Sequence, residues 1–329
     1  YKKNFGSNQN VRVDMNKVTG ELHIYAQRHI VAEVGDDPNE ISLEEARKID
    51  PRYEVDDIVE TEVTPRNFGR IAAQNAKQVV VQRIREAERG MVFEKFSSRE
   101  NDIVTGIIQR MENKNVYIDL GKAEAILTPN EQIPGEIYQY HDRMKTYIVE
   151  VKKTSKGPQI MVSRTHPGLL KRLFELEVPE IHDGLVEIKS VAREPGMRSK
   201  ISVYTKDENI DPVGACVGHK GMRVQTIVNE LRGEKIDIVK YSSEPDQYVA
   251  NALSPAKVVS TEVLEEEKIC RVIVPDYQLS LAIGKEGQNA RLAAKLTGWK
   301  IDIKSESQAA EEAEQGAQEV GVAYEADED

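Results

Sequence analysis

Two glycine-bracketed stretches have the residue types and spacing to do chemistry. The first is Gly218-His219-Lys220-Gly221, followed by Met222 and Arg223; the second is Gly284-Lys285-Glu286-Gly287, followed by Gln288, Asn289, Ala290 and Arg291. A backbone without Cβ lets a sugar-phosphate strand approach closely. A helix starting directly after such a loop turns free N–H groups and its positive dipole end toward phosphate oxygens. Lys220 and Lys285 add mobile cations, and His219 adds a further donor. Glu286 opposes that chemistry, and is expected to face solvent or pair with a neighbouring cation. The chemistry is therefore anion binding rather than bond making.

A single Gly-x-x-Gly is an ordinary turn signal. Two copies in matched surroundings carry far more weight. Each stands at the junction of two short helices and precedes an apolar-periodic helix: Val224, Ile227, Val228 and Leu231 in one, Ala290, Leu292, Ala293 and Leu296 in the other. Each helix then runs into a Lys-Ile-Asp-Ile strand, at 235–238 and 300–303. This is the arrangement by which a KH module clamps about four nucleotides of single-stranded RNA. The residues expected at RNA are Gly218, His219, Lys220, Gly221 and Arg223, with Gly284, Lys285, Glu286, Gly287, Gln288, Asn289 and Arg291.

Competing chemistries lack their residues. A Gly-x-x-x-x-Gly-Lys-Ser/Thr phosphate loop is absent, as are His-Glu-x-x-His and Gly-x-Ser-x-Gly. His23 and His29 read as structural. Cys216 and Cys270 are far apart, which gives no disulfide framework and no metal pair and fits a reducing cytoplasm. No enzyme, cofactor or metal is expected.

The elements that position the loops can be read from hydrophobic period. From Pro167 to Tyr241 the pattern is helix, strand, strand, helix, helix, strand, and residues 246–303 repeat that order. Upstream, five short strands fall between residues 98 and 164 and fit a small OB-type barrel. That segment holds ten Lys/Arg and nine Asp/Glu. Tyr117, Tyr138, Tyr140 and Tyr147 interleave there with Arg110, Lys145, Lys152 and Lys153; such aromatics stack bases between cations, although a tyrosine in a strand is more often half-buried packing. Ala73, Ala76, Val80, Ile84, Ala87 and Met91 form one stripe of a helix predicted over 70–91, long enough to separate two domains. Before it, Val11–Met15 and Leu22–Ala26 flank Thr19-Gly20 as a hairpin, Ser42 with Glu45 forms a capping box, and 57–64 reads as a strand.

The fold expected is multi-domain α+β. A mixed α/β N-terminal domain with a long linking helix occupies 1–97, entered partway at its start, and an OB-type β-barrel occupies 98–166. Two tandem KH (type II) α+β domains follow at 167–241 and 242–304, and then a disordered acidic tail at 305–329. The net charge of −11 argues at first against a nucleic-acid partner. However, nine acidic and no basic residues lie in 305–329, so only −2 remains over residues 1–304 and basic residues are free to cluster on one face. No run of 18 apolar residues exists, so no membrane span is expected.

The chain also resembles the NusA family of bacterial transcription factors. Five runs carry the resemblance: Phe68-Gly-Arg-Ile-Ala-Ala-Gln, Ser163-Arg-Thr-His-Pro, Glu177-Val-Pro-Glu-Ile, Asp211-Pro-Val-Gly-Ala-Cys-Val-Gly and Asp276-Tyr-Gln-Leu-Ser-Leu-Ala-Ile-Gly-Lys. The resemblance implies an N-terminal domain that docks on RNA polymerase, and a ribosomal S-one-type barrel with two KH modules that take nascent single-stranded RNA. It implies a cytoplasmic, monomeric factor that works with other elongation or antitermination factors on pausing, intrinsic termination and antitermination, without catalysis of its own. Two alternatives share these modules: the RNA-binding accessory part of an exoribonuclease, and a ribosome-associated KH protein. Phosphate-dependent RNA degradation would mark the first and co-sedimentation with ribosomes the second.

Overall fold

Alternating and helical periods place the elements as follows in a computed structural model. It describes residues 8–312 and 314 except 20, 36 and 67, and of residue 72 only the backbone. The chain divides into two compact units, 1–88 and 89–329.

In the first unit the strands β1 (Asn10–Met15) and β2 (Leu22–Val31) pair antiparallel, with Met15 opposite Leu22 as the hairpin pattern requires. Gly20 of that turn lies outside the described residues. Parallel β3 (Glu40–Ser42) and antiparallel β4 (Ile58–Glu62) also pair with β2. The Ser42 side chain accepts from the Glu45 N–H at 3.2 Å and starts α1 (Leu43–Ile49). Ile30, Ile41, Ala46 and Val59 form the small core.

The long helix α2 (Phe68–Ser97) exceeds the predicted 70–91 at both ends. Its apolar stripe stays exposed: Val80 at 56%, Ile84 at 53% and Met91 at 64%. What anchors the helix is its last turn, where Phe96 is buried in the core of the second unit.

That core belongs to a closed barrel of β5 (Ile103–Glu112), β6 (Asn115–Asp119), β7 (Glu124–Leu127), β8 (Arg143–Thr154) and β9 (Gly157–Ser163), in the order β5-β6-β7-β9-β8. Inward positions alternate along each strand, as Val116 and Ile118 do on β6. Gly106 is required where strands crowd, because a Cβ there would lie 2.4 Å from Ile118 Cγ2 and 2.8 Å from the Asp119 carbonyl oxygen.

Two copies of one α+β module follow. The first contains α3 (Pro167–Glu177), α4 (Pro179–His182), β10 (Glu187–Glu194), β11 (Arg198–Tyr204), α5 (Pro212–Val217), α6 (Met222–Glu230) and β12 (Lys235–Lys240). The second contains α7 (Pro245–Ala252), β13 (Ser260–Leu264), β14 (Ile269–Val274), α8 (Leu279–Ile283), α9 (Gln288–Thr297) and β15 (Lys300–Ser305). In each sheet the middle strand pairs antiparallel with the preceding strand and parallel with the last one.

Buried polar contacts join the barrel and the two modules. Arg164, 1% exposed, lies between barrel and first module. It pairs with Glu136 and donates to the carbonyl oxygens of Lys145 at 2.9 Å and Glu230 at 3.0 Å. Glu230, on α6, also accepts from the Lys145 N–H at 3.0 Å. Tyr147 of β8 stacks on His166 with ring centres 4.5 Å apart, and a Cβ on Gly168 would lie 2.5 Å from that tyrosine ring. The next joint is made through the first module's sheet. Ser202 meets the Tyr248 hydroxyl at 2.8 Å, and the Lys200 ammonium donates to Asp237 at 2.9 Å and to the Ser254 carbonyl at 2.8 Å. Ala192 and Val239 share one core with α7, α9 and β14 of the second module.

Three expectations need correction. Tyr147 and Tyr138 are not free stacking surfaces. Tyr147 is 6% exposed and wedged at the joint, while the Tyr138 hydroxyl donates to Glu136 and receives the Ile133 N–H. The expected disordered tail begins with a helix at 306–312, held where Ser307 donates to Asp276 at 2.8 Å and Lys304 pairs with Glu312 at 2.5 Å. The tail beyond 314 lies outside the described residues. Among the described residues no helix is long and apolar enough to cross a membrane.

Arg164→Ala strands Glu136 in a buried site and is expected to cost about 3–5 kcal/mol, read as a lower urea midpoint by circular dichroism. An unchanged midpoint would show that the joint is not held by this ion pair. Buried Glu234 gives a pH signature. Burial alone raises its carboxyl, but the Arg193 ion pair, the Ser199 hydroxyl and the Gly196 N–H outweigh this and hold it below the usual carboxylate range. Its contribution is therefore complete above the unfolded pKa of about 4.3 and is lost as pH falls through the lower folded value. Acid titration of Glu234→Gln should show a shallower loss of structure than the unaltered chain, and identical profiles would contradict this.

Candidate nucleic-acid interface

Glycine conformation builds both loops in the same way. In the first, Gly218 has φ 72° and ψ 178°, Lys220 has φ 52° and ψ 26°, and Gly221 has φ 77° and ψ 12°. In the second, Gly284 has φ 78° and ψ 170°, Glu286 has φ 54° and ψ 28°, and Gly287 has φ 73° and ψ 14°. The first glycine of each loop has two requirements, because it is left-handed and also crowded. A Cβ on Gly218 would lie 2.7 Å from Arg223 Cγ, and one on Gly284 would lie 2.8 Å from the Asn289 backbone nitrogen. The second glycine needs only its left-handed backbone; nothing lies within 4 Å of a Cβ at Gly287. Both glycines N-cap a helix, and neither can supply a side-chain acceptor, so no side chain caps the first turn.

His219, Lys220, Lys285 and Glu286 are exposed at the loop tips. The lysines are not equivalent, however. Lys220 occupies the left-handed third position of its loop and Lys285 the second position of the other, where Glu286 takes the left-handed place. The first tip is therefore cationic, and the second combines one cation with one carboxylate. Met222 stands beside the first loop at 67% exposure, and Leu281 and Ile283 beside the second at 46% and 37%. These apolar side chains could meet base faces; they fall at the off-stripe positions of their helices and were not singled out from sequence.

The remaining expected residues lie beneath the loops. Arg223 donates to Glu180 at 2.9 Å and to the Ala215 carbonyl at 2.5 Å, bracing α5 against α6. Asn289 is 2% exposed, so it cannot meet RNA as expected. Its amide donates at 3.0 Å to the carbonyls of Leu253 and Ala282, while its Oδ1 has no partner among the described residues. Gln288 and Arg291 both donate to Glu194, a residue of the first module, at 2.8 and 2.7 Å. Sequence reading missed Glu180 and Glu194, since partners 43 and 97 residues away leave no local signal.

On the barrel, Arg110 lies 4.0 Å over the Tyr117 ring and forks onto Glu124 at 2.5 and 2.8 Å, and Tyr140 is 61% exposed. No group of three or more side chains suited to a metal occurs among the described residues. Both cysteines are buried, and burial pushes the Cys216 thiol up to about 12, which removes it as a nucleophile near neutral pH.

Comparison with known proteins agrees in kind. Family models match in series: a NusA N-terminal domain at 1–90, an S1 RNA binding domain at 97–163, a NusA-like first KH domain at 164–241 and a NusA-like second KH domain at 245–311. The chain is 68% identical over 94% of its length to a transcription termination/antitermination protein NusA of Halalkalibacterium halodurans, covering 81% of that protein. The corresponding Bacillus subtilis protein is 67% identical over 94% of the chain and 84% of its own length. The Thermus thermophilus one is 44% identical over 90% of the chain and 76% of its own length.

Gly284→Ala is expected to destabilise more than Gly287→Ala. Both incur the left-handed penalty of about 1–2 kcal/mol, but only the first drives a Cβ into backbone that cannot swing aside. Thermal melts that rank the two equally, or in the opposite order, would contradict this account of the loop.

Proposed function

This chain belongs to the NusA family, and we propose that it is a transcription elongation factor that holds nascent single-stranded RNA on its two loop clamps while residues 1–97 dock on RNA polymerase. It acts by binding, not by catalysis. The observation that carries the reading is the pair of uncapped helix starts behind like-folded glycine loops, both within one unit with an S1-type barrel. Each loop offers bare backbone and a lysine to a phosphate, and the exposed Met222, Leu281 and Ile283 offer apolar contact to bases. RNA held there is withheld from, or delivered to, hairpin growth. Pausing, intrinsic termination and antitermination then shift according to which polymerase state binds the factor more tightly. Such work places the protein in the cytoplasm with the transcription machinery and its other elongation factors.

In vitro transcription past a hairpin pause tests the reading. Saturating protein should change the pause lifetime, and a lifetime unchanged at both pause and terminator would overturn it. The clamps have their own signature. Lys220→Asp should weaken binding of single-stranded RNA and flatten its log–log salt dependence by about 0.7 for one lost phosphate contact. Lys285→Asp should do less, because Glu286 already offsets its charge. Equal or absent effects in titrations at several salt concentrations would remove the assignment of Lys220 as a phosphate contact.

A further inference from the structure

The second loop is held by a residue of the first module. Glu194 ends β10 and is the only carboxylate described in contact with Gln288 and Arg291. Its two oxygens are both used. One accepts from Arg291 Nε at 2.7 Å and the other from Gln288 Nε2 at 2.8 Å, with the Glu194 side chain only 17% exposed. Arg291 then turns back to its own loop, donating through Nη1 to the Glu286 carbonyl at 3.1 Å. Glu286 is the non-glycine residue at φ 54°, a conformation that costs energy and persists only where surroundings enforce it. The strained residue of the second loop is thus reached in two steps from the first module.

Glu194 is itself fixed from behind. Its neighbour Arg193 points the other way, forking onto Glu234 at 2.8 and 2.9 Å and donating to the His166 carbonyl at 2.8 Å. The turn between β10 and β11 is tied to the same place, since Glu234 also accepts the Gly196 N–H. Strand alternation therefore sends one side chain into the barrel–module joint and the next onto the second loop.

We propose that Glu194 is a positioning residue for the second RNA clamp, acting through Gln288 and Arg291, and that Arg291 is a brace of the loop rather than a phosphate contact. This rests on the reading of residues 284–287 as an RNA clamp. The carboxylate engages Nε and the loop carbonyl engages Nη1, so two of the five N–H groups of the guanidinium hold it in the plane of the loop and set it to brace the backbone. The first loop is braced differently. Arg223 uses Glu180, which belongs to its own module. Among the described residues, the arginine that braces the first loop is thus held within its own module, and the one that braces the second is held by the preceding module.

The test uses the full chain with Glu194→Gln, Glu194→Ala, Arg291→Ala and the double variant Glu194→Ala/Arg291→Ala. Amide hydrogen exchange is measured first, without RNA. Arg291→Ala and Glu194→Ala should speed exchange at 285–288 severalfold and leave 219–222 unchanged, with Glu194→Gln, which keeps one acceptor oxygen and turns the other into an NH2 donor, intermediate. Exchange unchanged at 285–288, or raised equally in both loops, overturns the proposal. Binding of a labelled twelve-nucleotide single-stranded RNA of random sequence is then measured from low to high salt. Arg291→Ala should weaken it severalfold with the salt slope kept, and the double variant should be no weaker than the Arg291→Ala single. A slope flattened by about 0.7 would make Arg291 a phosphate contact and overturn the brace. If the unaltered chain fails to bind this RNA at low salt, the clamp reading fails, while the exchange result still decides whether Glu194 orders the loop. Should Glu194→Ala not fold, Glu194→Gln against Arg291→Ala carries the same decision.

Discussion

A guanidinium cannot shed its charge inside a protein, and Arg164 is 1% exposed. Removing it from water is tolerable only if carboxylates and carbonyl oxygens meet it from several directions. Those partners come from three places: Glu136 from the loop before β8, the Lys145 carbonyl from β8 itself, and Glu230 with its carbonyl from α6. Barrel and first module therefore have one mutual orientation in which this charge is satisfied, and any other leaves it stranded. Apolar contact alone would be less exacting, since such surfaces slide at small cost, whereas a fork-shaped donor with fixed acceptors does not.

Past that joint the same logic continues with smaller parts. Lys200 and Ser202 project from the face of β11 opposite to Ile201 and Val203 and meet the second module there. The barrel and the two modules form a rigid carrier for two loops. In the proposed function each loop offers few contacts to a strand. Fixed spacing turns the second engagement into an intramolecular event once the first is made, so modest sites add without further interface. The two loop tips differ in charge, Lys220 at the left-handed place of one and Glu286 at that of the other, so under the proposed function only the first would draw mainly on counterion release.

Much of this was legible in the order of residues. Period-two alternation gave the barrel strands, and a serine with a glutamate three places on gave the start of α1. The repeated Gly-x-x-Gly with its Lys-Ile-Asp-Ile strand gave both modules and their loops, because backbone conformation leaves a local trace. What stayed hidden depends on burial and distant partners. Arg223, Asn289 and Arg291 look alike from sequence, as polar residues on a helix after a glycine. The fold makes one a strut to Glu180, another a buried amide and the third a tether to Glu194. Tyr147 shows the same limit, since an aromatic residue between cations reads as a stacking surface until Gly168 closes over it. The stripe on α2 fails in the opposite sense, for its period is real and its partner is not among the described residues.

The two sheets differ in what covers their outer faces. The outer face of the first sheet is occupied by the module that follows. On the second sheet the corresponding face carries Arg271, Ile273 and Lys304, and the short helix at 306–312 lies there, sharing a groove with them through Ala309 and Glu312. A sheet left bare at that point would be a template on which a third copy, or a neighbouring molecule, could stack. The helix at 306–312, about two turns long, covers part of that face. The second sheet thus meets a short helix on the face where the first meets a whole module.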